Sequence, residues 1–200
     1  MQSLYKQSIA LYNIIKEIML YNFKDTKEYG MEHRRYTKEN IKNIAEGVLK
    51  IYSDQSYPVK VLEIANNLDL QVFESTFDRD DVSGMLKASE KHILIAQSDN
   101  PKRQRFSIAH EIGHYVLHYK GKVFNKDETE KHVSFRDNAS SLGFSVKEIE
   151  ANFFASNLLM PEKKIREMYH DFTLKEMAHF LNVSEIAMRH RLEFLGLLNE

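Results

Sequence analysis

The chain has no cysteine among its 200 residues. That absence excludes disulfides, thiolate zinc sites, iron–sulfur clusters and a cysteine nucleophile together. Any metal site has to be assembled from histidine and carboxylate, and nine histidines are present. A cysteine-free composition also fits a reducing compartment. Proline and glycine are scarce, at three and seven residues, which is about half the usual share of glycine and about a third of that of proline, and this favours helices over a turn-rich β architecture. Charge of one sign is lacking too. The 28 Lys and Arg against 29 Asp and Glu leave a formal net charge of −1, so no overall field draws the chain to nucleic acid or to an anionic membrane. No stretch approaches the roughly 18 apolar residues of a membrane span. The mildly apolar N-terminus is interrupted by Lys16 and Glu17, and no small-residue cleavage site follows. The expectation is a cytoplasmic globular protein with one core of ordinary size.

What is present is mostly helical periodicity. Leu4, Leu11, Ile15, Ile18 and Met19 recur at helical spacing, and a polar linker from Lys24 to Lys38 follows. Ile41, Ile44, Ala45, Val48, Leu49 and Tyr52 form a second stripe, and Val61 to Leu68 reads as a short helix after Pro58. The period then changes. Leu70 to Glu74 alternates like a strand, and Gly84–Ala88 and His92–Ala96 flank the polar Ser89-Glu90-Lys91 as in a hairpin. Asn100-Pro101 is an N-cap with proline at the first helical position, so a helix is expected from there to about Tyr119. Residues 120–145 read as a patternless polar loop. Ser145 opens a further helix ending at Met160-Pro161. Thr173-x-x-Glu176 is a capping box and Ser184 a second N-cap, which predicts two short helices joined at Asn182-Val183. The sum is an α+β, mainly helical fold with a small mixed or antiparallel sheet. Residues 1–57 form an N-terminal helical extension and first core helix, 58–165 the central domain, and 166–200 a helix-turn-helix-like tail.

The densest chemistry is His110-Glu111-Ile112-Gly113-His114. Residues four apart lie on one helix face, so two imidazoles at that spacing reach one tetrahedral Zn²⁺. Glu111, one residue round, reaches a water beside that metal and takes its proton as a general base. The alternative is a helix with exposed His and Glu. Against it, Ile108, Ala109, Ile112, Val116 and Leu117 send this helix into the core, where buried His and Glu need partners.

A third ligand is required. His118 lies eight residues from His110, about 12 Å along the axis, and one ion cannot serve both. It reads instead as a helix-end residue near the C-terminal dipole. The better candidate is Glu148, which shares a face with Ala151, Asn152, Ala155 and Leu159. Asn152, one turn on, can orient a ligating imidazole through its other nitrogen. Glu148 can also be read as the capping-box partner of Ser145. Glu150 points about 200° away from it around the helix and reads as part of a solvated face.

These residues resemble the ImmA/IrrE metallopeptidases. The resemblance rests on Gln104 to Ala109 running into His110–His114, on Glu148-Ile-Glu-Ala-Asn152-Phe-Phe-Ala155 running into Leu158-Leu159-Met160-Pro161, on Ser83-Gly84, and on the tail from Asn182 to Leu192. It covers about residues 40–197 and leaves the N-terminal segment outside. It implies a gluzincin-like, zincin-type fold in which the metal helix and the glutamate helix cross under a small sheet. It implies Zn²⁺ held by His110, His114 and Glu148, with Glu111 as catalytic base. It also implies a protein substrate, a helix-turn-helix repressor whose cleavage switches on a mobile element or a stress response. The rival reading is a non-catalytic regulator that binds a partner protein or DNA through the same fold. For DNA, the region would be 173–195. Residues 171–195 carry Lys175, Arg189 and Arg191 against Asp171, Glu176, Glu185 and Glu193, net −1, which argues against a phosphate-binding surface.

Overall fold

A computed structural model describes residues 36–120, 131–135 and 146–198; for 131–135 it gives the backbone path. The expected helix over residues 4–22, the linker up to residue 35 and the Ser145 N-cap lie outside the described residues.

Helix α1 (Lys38–Tyr52) starts where Thr37 accepts a hydrogen bond from the Asn40 N–H, and it buries Ile41, Ile44, Ala45, Val48 and Tyr52 as the stripe predicts. Helix α2 (Val61–Asn67) is short and buries Val61, Ile64 and Ala65. Three strands follow: β1 (Gln71–Ser75), β2 (Val82–Lys87) and β3 (His92–Ala96). The β2–β3 hairpin is antiparallel, with Gly84 opposite Ile95 and Lys87 opposite His92. Strand β1 pairs parallel with β3, from Gln71 opposite His92 to Ser75 opposite Ala96, so the sheet is mixed.

One correction concerns residues 120–145. The structure places a strand, β4 (Lys131–Phe135), inside the expected loop, antiparallel to β2, and the sheet order is β1-β3-β2-β4. Only Val133 and Phe135 alternate there, which is too short a pattern to stand out among the surrounding polar residues. The strand is recruited by the free edge of β2 rather than by its own composition.

Helix α3 (Pro101–His114) is capped by the Asn100 side chain, which accepts from the Arg103 N–H. It runs directly into a wider π-helical turn over Tyr115–Tyr119, closed by Lys120 N–H donating to the Tyr115 carbonyl at 2.7 Å. Two side chains seat α3 on the sheet: Gln104 donates to the Ala96 carbonyl and the Arg103 Nε–H to Ser83 Oγ. Helix α4 (Val146–Leu159) crosses α3 on its other side and also packs against α1. The rest is α5 (Glu162–Met168), α6 (Leu174–Phe180), with its capping box formed, and α7 (Glu185–Phe194), capped by Ser184. One connected hydrophobic core runs from Ile41 in α1 to Leu192 in α7.

The α3–α4 crossing is the contact that matters for the site, and Gly113 sets its closeness. A Cβ at that position would stand 2.9 Å from the Phe154 ring and 3.2 Å from the Ala151 carbonyl oxygen. The glycine between the two motif histidines therefore lets the helices approach to backbone contact.

Candidate metal centre

The crossing brings residues 110, 114 and 148 together. His110 and His114 lie one turn apart on α3, are almost fully buried, and hold their Nε2 atoms 3.0 Å apart. Glu148, in the first turn of α4, places Oε2 at 3.3 Å from His110 Nε2 and Oε1 at 3.0 Å from His114 Nε2. Among the described residues this is the one group of three such donors within 4.8 Å of one another.

Asn152, one turn after Glu148, meets the far side of the first imidazole, with Oδ1 at 2.9 Å from His110 Nδ1. An amide oxygen only accepts, so Nδ1 carries the proton. The lone pair of the neutral ring then sits on Nε2, aimed into the cluster. Phe106 lies beside the same ring, centroid to centroid 6.2 Å. Glu111 has no exposed surface at all.

The donor set fits a cation. Tetrahedral N and O ligands at about 2.0–2.2 Å from zinc lie roughly 3.4 Å from one another, close to the separations found here. The electrostatics agree. Burial pushes the His110 pKa down, but the Glu148 contact, the negative charges of Glu111 and Glu148 and the Asn152 bond outweigh it, and the net shift is upward. The fully buried Glu111 and the part-exposed Glu148 around two buried imidazoles favour positive charge there, and a divalent ion would meet that demand at all three donors at once.

Glu150 is where the sequence reading is corrected. It is not on a solvated face but 4% exposed. Its Oε1 accepts the Tyr36 N–H at 2.7 Å, and its Oε2 faces His118 Nε2 at 3.6 Å. Helix α4 is covered by α3 on one side and α1 on another, so the face opposite Glu148 is interior as well. His118 is likewise more than a helix-end residue. It sits in the π-helical turn, its side chain 7% exposed, with its ring 5.5 Å from His114 and 6.3 Å from Tyr36. Tyr36 also donates its hydroxyl to the Leu117 carbonyl. The one sequence signal for this second cluster is the recurrence of His at 110, 114 and 118 opposite Glu at 148 and 150. Tyr115 is buried, its pKa raised by desolvation, with Lys91 and Asp69 as its charged neighbours.

In the tail, Arg191 is not a surface cation. It is buried and donates from Nε to the Met160 carbonyl and from Nη2 to Asn157 Oδ1, which pins α7 to the end of α4.

Comparison with known proteins gives the same direction. The profile of the IrrE N-terminal-like peptidase domain matches residues 65–193. The chain is similar to metallopeptidase ImmA of Bacillus subtilis (strain 168), 28% identical over 167 residues that cover 80% of this chain and 89% of the relative. The chain belongs to the IrrE N-terminal-like family of metallopeptidases, and its His110/His114/Glu148 group is one that can hold a metal ion.

Proposed function

We propose that this metallopeptidase is a zinc-dependent endopeptidase of the cytoplasm and that its substrate is a helix-turn-helix transcriptional repressor. In this reading His110, His114 and Glu148 hold the zinc, Glu111 is the catalytic base and Asn152 positions His110. The observation that carries it is the convergence of two imidazole Nε2 atoms and one carboxylate at 3.0–3.3 Å, next to a fully buried Glu111. Zinc rather than a harder ion suits a set with two imidazoles and one carboxylate. Bound zinc would make water a nucleophile near neutral pH and polarise the scissile carbonyl.

The protein's own groups do the rest. The Glu111 carboxylate takes a proton from the attacking water and later delivers it to the leaving amine nitrogen. Asn152 holds the His110 ring in one tautomer, so Nε2 stays a lone-pair donor. Among the described residues the sheet ends at β1 and β4, and an extended substrate segment can add to a sheet edge by main-chain hydrogen bonds.

The repressor reading rests on the resemblance described above, together with the similarity to metallopeptidase ImmA. DNA is a poor fit as the main partner. Of the three cations in residues 171–195, Arg191 is spent inside the fold. Among the described residues, no helix is long and apolar enough to cross a membrane.

The test is Glu111→Gln. That variant should bind zinc as the wild type does and lose cleavage of the repressor. If it still relieves repression fully in cells, the peptidase activity is not what acts on the repressor and the function proposed is wrong.

A further inference from the structure

The outer face of α4 carries an apolar strip that the described fold leaves uncovered. Val146, Ile149 and Phe153 recur at i, i+3 and i+7, and Val146 and Ile149 are 39% and 45% exposed. Phe194 of α7 extends the strip, edge-on to Phe153 at 5.3 Å and itself 49% exposed. Large side chains exposed singly need no explanation, but three exposed ones joined through the half-buried Phe153 mark a contact surface.

The chain itself points to the occupant. The first described residues meet the flanks of this strip. Tyr36 donates its backbone N–H to Glu150, the neighbour of Ile149, and Lys38 lies over the Phe194 ring at 5.0 Å. The described chain thus begins, at Tyr36, beside this face. The 35 residues before Tyr36 carry Leu4, Leu11, Ile15, Ile18 and Met19 at helical spacing, an apolar stripe. They also lie outside the stretch that matches the peptidase family, residues 65–193.

We propose that the N-terminal segment, through the stripe from Leu4 to Met19, docks in cis on the strip formed by Val146, Ile149, Phe153 and Phe194. The roughly 16 residues between Met19 and Tyr36 span tens of ångströms when extended, ample to reach any point of it.

A chain without cysteine gives a clean test. In the full-length protein, Ile15→Cys is paired with Ile149→Cys and, as a control, with Phe73→Cys on strand β1, whose native residue is equally exposed at 43%. Under mild oxidation the 15–149 pair should close within the monomer roughly tenfold or more faster than the 15–73 pair, the advantage of a high effective concentration. Equal rates for the two pairs, or no closure at 149, overturn the proposal. Disulfide-linked dimers through 149 overturn it as well, since they place a second copy on the strip. A second measurement covers the case in which the double variants fold poorly. Maleimide labelling of Ile149→Cys alone should speed up several-fold when Ile15→Asp is added, and an unchanged rate counts against docking. Neither readout requires metal or activity, so their failure leaves the peptidase reading where it stands.

Discussion

The same pair of helices builds two histidine–glutamate clusters, and the contrast between them shows what makes one a metal centre. His110, His114 and Glu148 converge on a common point, with donor atoms 3.0–3.3 Å apart. His118, one turn after His114, faces Glu150, two residues after Glu148; both are buried, they stand 3.6 Å apart, and one Glu150 oxygen accepts the Tyr36 N–H. The residue types are the same. The difference is that in the first cluster two imidazole nitrogens and a carboxylate converge on one point, whereas in the second a backbone N–H is bonded to one carboxylate oxygen. The first arrangement is one that can hold a cation. The second is already a hydrogen-bonded tie between α4, the π-helical turn and the start of α1, and it bears on stability more than on chemistry.

Substitutions can break or sharpen that contrast. The largest expected effect is on turnover: Glu111→Gln should lower the cleavage rate by about 10²–10⁴, the usual worth of a general base, with zinc content unchanged. A peptide-cleavage assay alongside metal analysis checks it. Next comes the helix crossing that holds the first cluster. Gly113→Val places a branched side chain where a Cβ alone already meets Phe154 at 2.9 Å. It should cost about 1–3 kcal/mol of stability and weaken zinc binding tenfold or more, because α3 and α4 must part. A zinc titration with a competing chelator reads the second effect. Glu150→Ala should cost a similar 1–3 kcal/mol in urea unfolding by leaving the Tyr36 N–H and His118 without that carboxylate, while zinc stays bound. Arg191→Met leaves the Met160 carbonyl and Asn157 Oδ1 without their donor and should cost about 1–2 kcal/mol, with activity at low temperature preserved. The smallest is Thr173→Ala, which removes the cap of α6 for about 1 kcal/mol.

The sequence reading went furthest where one helix carries the information. The His110/Glu111/His114 spacing, the Asn100-Pro101 start, the β2–β3 hairpin and the Thr173 and Ser184 caps are local patterns, and each can be read without knowing what lies across from it. Glu148 and Asn152 came from a weaker signal, small residues on one face of α4, which suggested a close neighbour on that side. Glu150 shows where such reading stops. Whether the opposite face of α4 meets water depends on α1, about 100 residues earlier in the chain, and nothing in Glu148–Ala155 encodes that. Strand β4 was hidden for a related reason: with only Val133 and Phe135 to mark it, its pairing is decided by β2. The closeness permitted by Gly113 was equally invisible, since a glycine inside a helix reads as a propensity cost until the facing helix is placed.

The central claim is that the first cluster, and not the second, holds the metal. Metal analysis of the wild type, Glu148→Ala and Glu150→Ala, purified in parallel and checked for folding by circular dichroism, tests it most directly. The account predicts a stoichiometric zinc ion in the wild type and in Glu150→Ala and none in folded Glu148→Ala. Zinc retained by Glu148→Ala and lost from Glu150→Ala would contradict it.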